Sequence, residues 1–100
     1  MGVSGKLVRD RIPELFGGQA VKVLSDSEYL DALRAKLTEE TGEYLAAVTP
    51  AERHAELADV LEVVLALAAQ DGLTPAELER LRVAKAAERG TFGARFWWQP

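Results

Sequence analysis

Two pairs of acidic residues stand at helical spacing within otherwise apolar segments of this chain. Glu40 and Glu43 form the first pair, and Glu56 and Asp59 form the second after twelve intervening residues. Residues three positions apart lie on one face of an α-helix, so each pair directs two carboxylates toward one point. Such carboxylates repel one another unless a cation lies between them, and hard divalent cations prefer oxygen ligands. The spacing therefore predicts a divalent metal site between two helices.

The alternative interpretation is that these carboxylates are solvated, as charged residues on helices usually are. Two features argue against it. Glu40 occupies a position at which the spacing of the apolar residues before it on the helix predicts another leucine. Asp59 shares a helix face with Val63. An unpaired carboxylate in apolar surroundings is strongly unfavourable, whereas a metal ion reverses the local electrostatic balance.

Composition restricts the kind of metal. The chain has no cysteine and one histidine, His54, which excludes thiolate zinc sites and sites with several histidines. Di-iron helix bundles need a histidine three residues after a glutamate, and none occurs there. Oxygen ligands alone favour magnesium, manganese or calcium.

The remaining composition predicts one cytoplasmic domain spanning residues 1–100. A net charge of −4, from 12 basic and 16 acidic residues, argues against binding to nucleic acid polymers. No apolar run reaches the roughly 18 residues of a membrane span, and no signal-peptide pattern opens the chain. The absence of cysteine fits a reducing compartment.

The fold is predicted to be all-α. Three capping-box patterns begin at Ser25, Thr49 and Thr74, and two of them are followed directly by proline. They predict three main helices at 26–48, 50–71 and 75–89, with Gly72 and Gly90 as C-terminal stops.

The terminal segments are less regular. A helical turn is predicted at 13–16, since Pro13 disfavours helix at Ile12. Residues 17–18 are predicted to form a loop, and residues 20–24 are predicted to be extended. The tail 91–100 has no helical period, but its aromatic side chains are expected to pack on the helices or on a partner; they are Phe92, Phe96, Trp97 and Trp98.

The apolar patterns predict an oligomer. The first main helix carries a row at alternating three- and four-residue spacing, formed by Leu30, Leu33, Leu37, Glu40, Tyr44 and Ala47. The second is apolar on almost every side after Asp59, and three helices cannot surround it. We therefore expect a four-helix-bundle-like core built by a homodimer or homotetramer.

Lys85 and Arg89 lie on one side of the third main helix, just before Gly90. Two interpretations are balanced here. Cations near a helix C-terminus are favoured by the helix dipole alone, but they would also suit a phosphate-binding role. No glycine-rich phosphate loop of the Walker or dinucleotide type is present in the sequence.

Taken together, these segments resemble the MazG-like all-α nucleoside triphosphate pyrophosphohydrolases, in particular small stand-alone members that are phosphoribosyl-ATP pyrophosphohydrolase-like. The resemblance covers nearly the whole chain. It is carried by residues 6–13 (KLVRDRIP), 37–43 (LTEETGE), 56–62 (ELADVLE) and 85–92 (KAAERGTF). The chain departs from the family where Gly42 interrupts the acidic helix, and where Thr91 replaces a common second glycine.

The resemblance implies Mg²⁺-dependent hydrolysis of a nucleoside triphosphate between its α- and β-phosphates, as in nucleotide-pool house-cleaning, with Mn²⁺ as a substitute ion. It implies that Glu39 orients or deprotonates the attacking water and that Lys85 and Arg89 bind phosphate. The implied metal ligands are Glu40, Glu43, Glu56 and Asp59. Two rivals stay open: the phosphoribosyl-ATP pyrophosphohydrolase of histidine biosynthesis, and a non-catalytic metal- or nucleotide-binding module. The sequence does not specify the nucleobase or sugar.

Overall fold

The prediction of an all-α protein is confirmed by the computed structural model of the chain, which describes residues 5–17 and 21–100. Within those residues the structure has four helices and no strand. They are α1 (Ile12–Phe16), α2 (Asp26–Ala46), α3 (Pro50–Gln70) and α4 (Pro75–Arg89).

All three predicted capping boxes are present. The hydroxyl oxygens of Ser25, Thr49 and Thr74 each accept a hydrogen bond from the backbone N–H three residues later. The glutamate at that third position accepts one from the backbone N–H of the cap in return. Gly72 and Gly90 follow α3 and α4 with φ of 75° and 82°, a left-handed region that glycine adopts without strain.

Two predicted helix ends were too late, and one helix begins earlier than predicted. Helix α2 ends at Ala46 because the Glu52 carboxylate accepts hydrogen bonds from the backbone N–H groups of both Val48 and Thr49. Those N–H groups are then directed to the start of α3 instead of continuing α2. Helix α3 ends one residue before the predicted position 71. Ile12 is the first residue of α1 even though Pro13 follows it.

Helices α2 and α3 form a hairpin around a small core, and among the four described helices α4 packs against α3 alone. Leu33 on α2 and Val63 on α3 are the buried apolar side chains of the described residues. Glu40 is buried with them, at 6% exposure. The other members of the predicted row are all half-buried, which confirms the predicted face; they are Leu30, Leu37 and Tyr44 on α2, and Ala47 directly after it.

Much apolar surface stays uncovered in the single chain. Leu57 and Leu61, one turn apart on α3, are 50% and 56% exposed. The aromatic tail does not pack on the helices of its own chain, contrary to one of the two predicted arrangements. Its four aromatic side chains are between 84% and 98% exposed.

The segments around α1 contain little regular structure. Residues 5–9 and 21–25 belong to no helix or strand, and Gly18 and Ala20 lie outside the described residues. In the part of the chain that the structure describes, no helix has the length and apolar character needed to cross a membrane.

Candidate metal centre

Glu40 is at the centre of the acidic cluster. It lies two turns after Leu33 on the face of α2 that packs against α3, which explains its burial. Its Oε1 atom lies 3.3 Å from the Lys36 ammonium. Its Oε2 atom is buried and has no hydrogen-bond partner among the described residues. A buried carboxylate oxygen in that state is costly unless a hydrogen-bond donor or a cation binds it.

The structure brings the predicted carboxylates together in two groups that share Glu40. In the first, oxygen atoms of Glu39, Glu40 and Glu43 lie within 4.8 Å of one another. In the second, oxygen atoms of Glu40, Glu56 and Asp59 do so. Each i, i+3 pair thus converges, and α2 and α3 face each other across the cluster as the sequence spacing predicts.

Glu56 is the second residue with an unsatisfied oxygen. The side chain is half-buried, and its Oε2 atom is buried without a hydrogen-bond partner in the described ranges. Burial raises the pKa of this carboxyl above its usual value, and the negative charges of Glu43 and Glu40 raise it further. A raised pKa is the direction expected for a carboxyl that is partly buried beside two like charges.

Lys36 supplies part of the missing charge. Its ammonium donates a 2.9 Å hydrogen bond to Glu39 Oε2, and the Lys36 side chain is only 15% exposed. Burial alone lowers the pKa of Lys36, but the contacts with Glu39 and Glu40 outweigh it and raise the pKa overall. Lys36 therefore stays charged and forms an ion pair with Glu39, the residue predicted to orient or deprotonate water.

Arg9 supplies the second cation. Its Nη2 atom donates a 2.6 Å hydrogen bond to Asp59 Oδ1, across 50 positions of sequence. Among the described residues, the five carboxylates of the two groups are thus accompanied by two cations, Lys36 and Arg9. Because the carboxylates outnumber these cations, the cluster carries a net negative charge, which would favour binding of a divalent ion.

A cavity of about 430 Å³ opens beside the cluster. Residues 7–11 of the N-terminal segment form one wall, and α2 and α3 form the other with Tyr29, Lys36, Glu40 and Asp59. The cavity has room for part of a small-molecule ligand. A smaller cavity of about 250 Å³ is lined by Glu43 and Glu56.

Lys85 and Arg89, the predicted phosphate-binding residues, are not brought to the cluster within the single chain. Both are exposed on α4, and neither lines the cavity beside Glu40. Arg89 Nε lies 3.9 Å from Glu88 Oε1. The predicted role of the two cations stays a prediction. His54 is exposed.

Sequence reasoning missed Lys36 and Arg9. Lys36 could have been found, because it precedes Glu39 and Glu40 by three and four residues, a spacing that pairs side chains on a helix. The Arg9 contact with Asp59 joins an irregular segment to a distant helix, and neither periodicity nor local spacing signals such a contact.

The donor set fits a hard divalent cation. Every candidate ligand is a carboxylate oxygen, as Mg²⁺ and Mn²⁺ prefer. Two of these oxygens, on Glu40 and Glu56, are buried without a hydrogen-bond partner in the described part of the chain. A bound ion would satisfy both oxygens and lower the repulsion that raises the pKa of Glu56.

Comparison with curated proteins finds a relative in Mycolicibacterium smegmatis, which is described as an uncharacterized protein. The two chains are 52% identical over 48 residues, or 44% of this chain and 49% of the relative. The chain thus covers about half of that relative's length. No protein-family model and no solved structure matches the chain. The description of the relative names no activity.

Proposed function

We propose that the chain is a Mg²⁺-dependent nucleoside triphosphate pyrophosphohydrolase that yields a nucleoside monophosphate and pyrophosphate. The observation that carries the proposal is the pair of buried, unpartnered carboxylate oxygens on Glu40 and Glu56, within the described residues, on facing helices. The resemblance of the three acidic and basic motifs to MazG-like enzymes supplies the reaction class.

The cluster could instead be a salt-bridge network that needs no metal. Lys36 and Arg9 favour that alternative, since each neutralises a carboxylate in the observed arrangement. The network is incomplete, however, because neither cation reaches Oε2 of Glu40 or of Glu56. We therefore assign these two oxygens, together with Glu43 and Asp59, to metal binding.

Within the proposed reaction, the carboxylates hold the ion and the phosphate chain at the junction of α2 and α3. Mg²⁺, or Mn²⁺ in its place, would supply neutralisation of phosphate charge and polarisation of water. Glu39 lies at the edge of the cluster, is more exposed than Glu40, and is oriented by the Lys36 ammonium. Glu39 is suited to accept the proton that water loses as it attacks the phosphoanhydride.

Phosphate binding requires cations in addition to the metal. Lys85 and Arg89 stay predicted phosphate ligands, with α4 placed against the site by a second copy of the chain. The exposed apolar face of α3, with Leu57 and Leu61, supports a homodimer or homotetramer. A cavity beside the cluster provides the space in which the substrate would lie.

The test is the identity of the products formed from a panel of ribonucleoside, deoxyribonucleoside and modified nucleoside triphosphates with Mg²⁺. We expect a nucleoside monophosphate and pyrophosphate from at least one of them, separated by anion-exchange chromatography. Release of inorganic phosphate with a nucleoside diphosphate would contradict the proposal. Stabilisation by Mg²⁺ with no product from any nucleotide would favour the non-catalytic module.

A further inference from the structure

Arg9 occupies an unusual position for a charged residue of an irregular segment. Its guanidinium lies 2.6 Å from Asp59 Oδ1, and the two side chains stay 55% and 36% exposed. The hydrogen bond to Asp59 raises the pKa of Arg9, and the charges of Glu62 and Glu40 add to the effect. Arg9 thus lies in the combined field of three carboxylates, two of which belong to the candidate metal site.

The backbone of Arg9 is free of helical hydrogen bonding. Residues 5–9 belong to no helix or strand, and the Arg9 carbonyl accepts a 3.0 Å hydrogen bond from the Ile12 N–H at the start of α1. The side chain is also 55% exposed, so it can change partner with little loss of packing. Lys36 differs in each respect, because it is on α2, is mostly buried and contacts two carboxylates.

We propose that Arg9 is a displaceable counter-cation: a divalent ion takes over Asp59, and the released guanidinium then binds the phosphate chain of the substrate in the adjacent cavity. The proposal rests on the proposed function and adds a substrate-binding residue to it. Three observations support it: the contact with Asp59, the exposure of that contact, and the position of Arg9 in the cavity wall.

Arg9 has two possible partners, Asp59 without the metal ion and phosphate with it, and the chemistry of each contact allows the exchange. An exposed ion pair is weak, so a divalent ion can compete for Asp59 at small cost. While Arg9 holds Asp59, it also repels any incoming cation. Phosphate is a strong alternative partner, because a guanidinium forms two parallel hydrogen bonds to its oxygens. Binding of metal and of phosphate would therefore be coupled through one side chain.

The first test is the affinity for Mn²⁺, measured by electron paramagnetic resonance without any nucleotide. Removing the competing charge in Arg9→Gln should tighten Mn²⁺ binding by about threefold to tenfold. Arg82→Gln is the matched control, since Arg82 also forms an exposed 2.6 Å ion pair, with Glu79 on α4. We expect Arg82→Gln to bind Mn²⁺ with wild-type affinity.

The second test uses inorganic tripolyphosphate as a probe without a base, titrated calorimetrically at saturating Mn²⁺. Arg9→Gln should bind it about tenfold more weakly than wild type, while Arg9→Lys should lie between the two, since it keeps the charge but loses the planar fork. Circular dichroism of each variant checks that helix content is retained.

An unchanged Mn²⁺ affinity or an unchanged tripolyphosphate affinity in Arg9→Gln overturns the proposal. Absence of Mn²⁺ binding in both wild type and Arg9→Gln would also overturn the proposal. Failure of the proposed enzymatic function has a different signature: both affinity shifts occur, but wild type releases no pyrophosphate from any nucleotide. The role of Arg9 as a displaceable cation would then stand without the catalytic activity.

Discussion

The Lys36 ammonium lies 3.3 Å from Oε1 of Glu40, whereas Oε2 of the same carboxylate is buried with no hydrogen-bond partner in residues 5–17 and 21–100. One lysine thus satisfies half of a carboxylate that the packing of α2 on α3 has removed from water. Such an arrangement costs stability unless a second positive group binds on the open side.

Lys36→Met should destabilise the metal-free protein, because Glu39 and Glu40 lose the cation that contacts both. We expect the free energy of unfolding in EDTA to fall by about 1–3 kcal/mol, and Mg²⁺ to restore more stability to the variant than it adds to wild type. Urea denaturation with and without Mg²⁺ measures both quantities. Lys22→Met is the control, because the Lys22–Glu28 pair is exposed at 70% and 46%, and its loss should matter little. If Lys36→Met and Lys22→Met changed the free energy of unfolding equally, Lys36 would not be the cation that stabilises Glu39 and Glu40.

Glu39→Gln should separate catalysis from metal binding. The variant keeps the size of the side chain but cannot accept a proton, so kcat should fall by about 10²- to 10⁴-fold. The affinity for Mn²⁺ should change much less. Glu79→Gln removes a carboxylate paired with Arg82 three residues later on α4, and serves as the control. An unchanged kcat in Glu39→Gln would remove Glu39 from the proposed reaction.

Glu56 predicts a pH dependence of stability in the metal-free protein. Burial, followed by the charge of Glu43, raises its pKa in the folded state above 4.5. The folded protein therefore keeps this proton at pH values where the unfolded chain has lost it. The resulting stability is fully present below pH 4.5 and is lost as pH rises through the folded-state pKa.

Comparison with Glu56→Gln isolates this effect, because titration of the other groups cancels in the difference. The variant should match wild type at low pH and become progressively more stable than wild type as pH rises above about 4.5. The measurement is urea denaturation in EDTA at a series of pH values. A difference that does not vary with pH would show that Glu56 has an ordinary pKa.

Leu61→Arg should disrupt the oligomer. Leu61 is 56% exposed on α3, one turn from Leu57, and a charge there would oppose burial of this face by a second copy. Light scattering after size exclusion should show a wild-type dimer or tetramer at micromolar concentration and a monomer for the variant. Leu61→Met preserves the apolar surface and should leave the oligomer intact. A monomeric wild type would contradict the proposed assembly.

The fold was predictable where the signals were local. Capping boxes at Ser25, Thr49 and Thr74 located the starts of three helices, because each depends on residues three positions apart. The end of α2 was not predictable in the same way. The Glu52 side chain withdraws the Val48 N–H from any continuation of α2, and this is a contact of the following helix.

In the candidate site too, the residues with local signals were predictable and those with long-range contacts were not. Glu40 was identifiable because its position in an apolar row implies burial, and the structure places it at 6% exposure. Asp59 was identifiable from its spacing to Glu56. Its partner Arg9 was not, because the contact spans 50 residues and depends on how segment 7–11 lies across α2 and α3.

The most direct test of the metal site is a Mn²⁺ titration of wild type and Glu40→Gln, followed by electron paramagnetic resonance. Glu40 is the residue that both groups of carboxylates share. Wild type should bind Mn²⁺, Mg²⁺ should compete for the same site, and Glu40→Gln should lose the binding while retaining its helix content. Equal Mn²⁺ affinity in the two proteins, or no binding in wild type, would contradict the metal site and the function proposed from it.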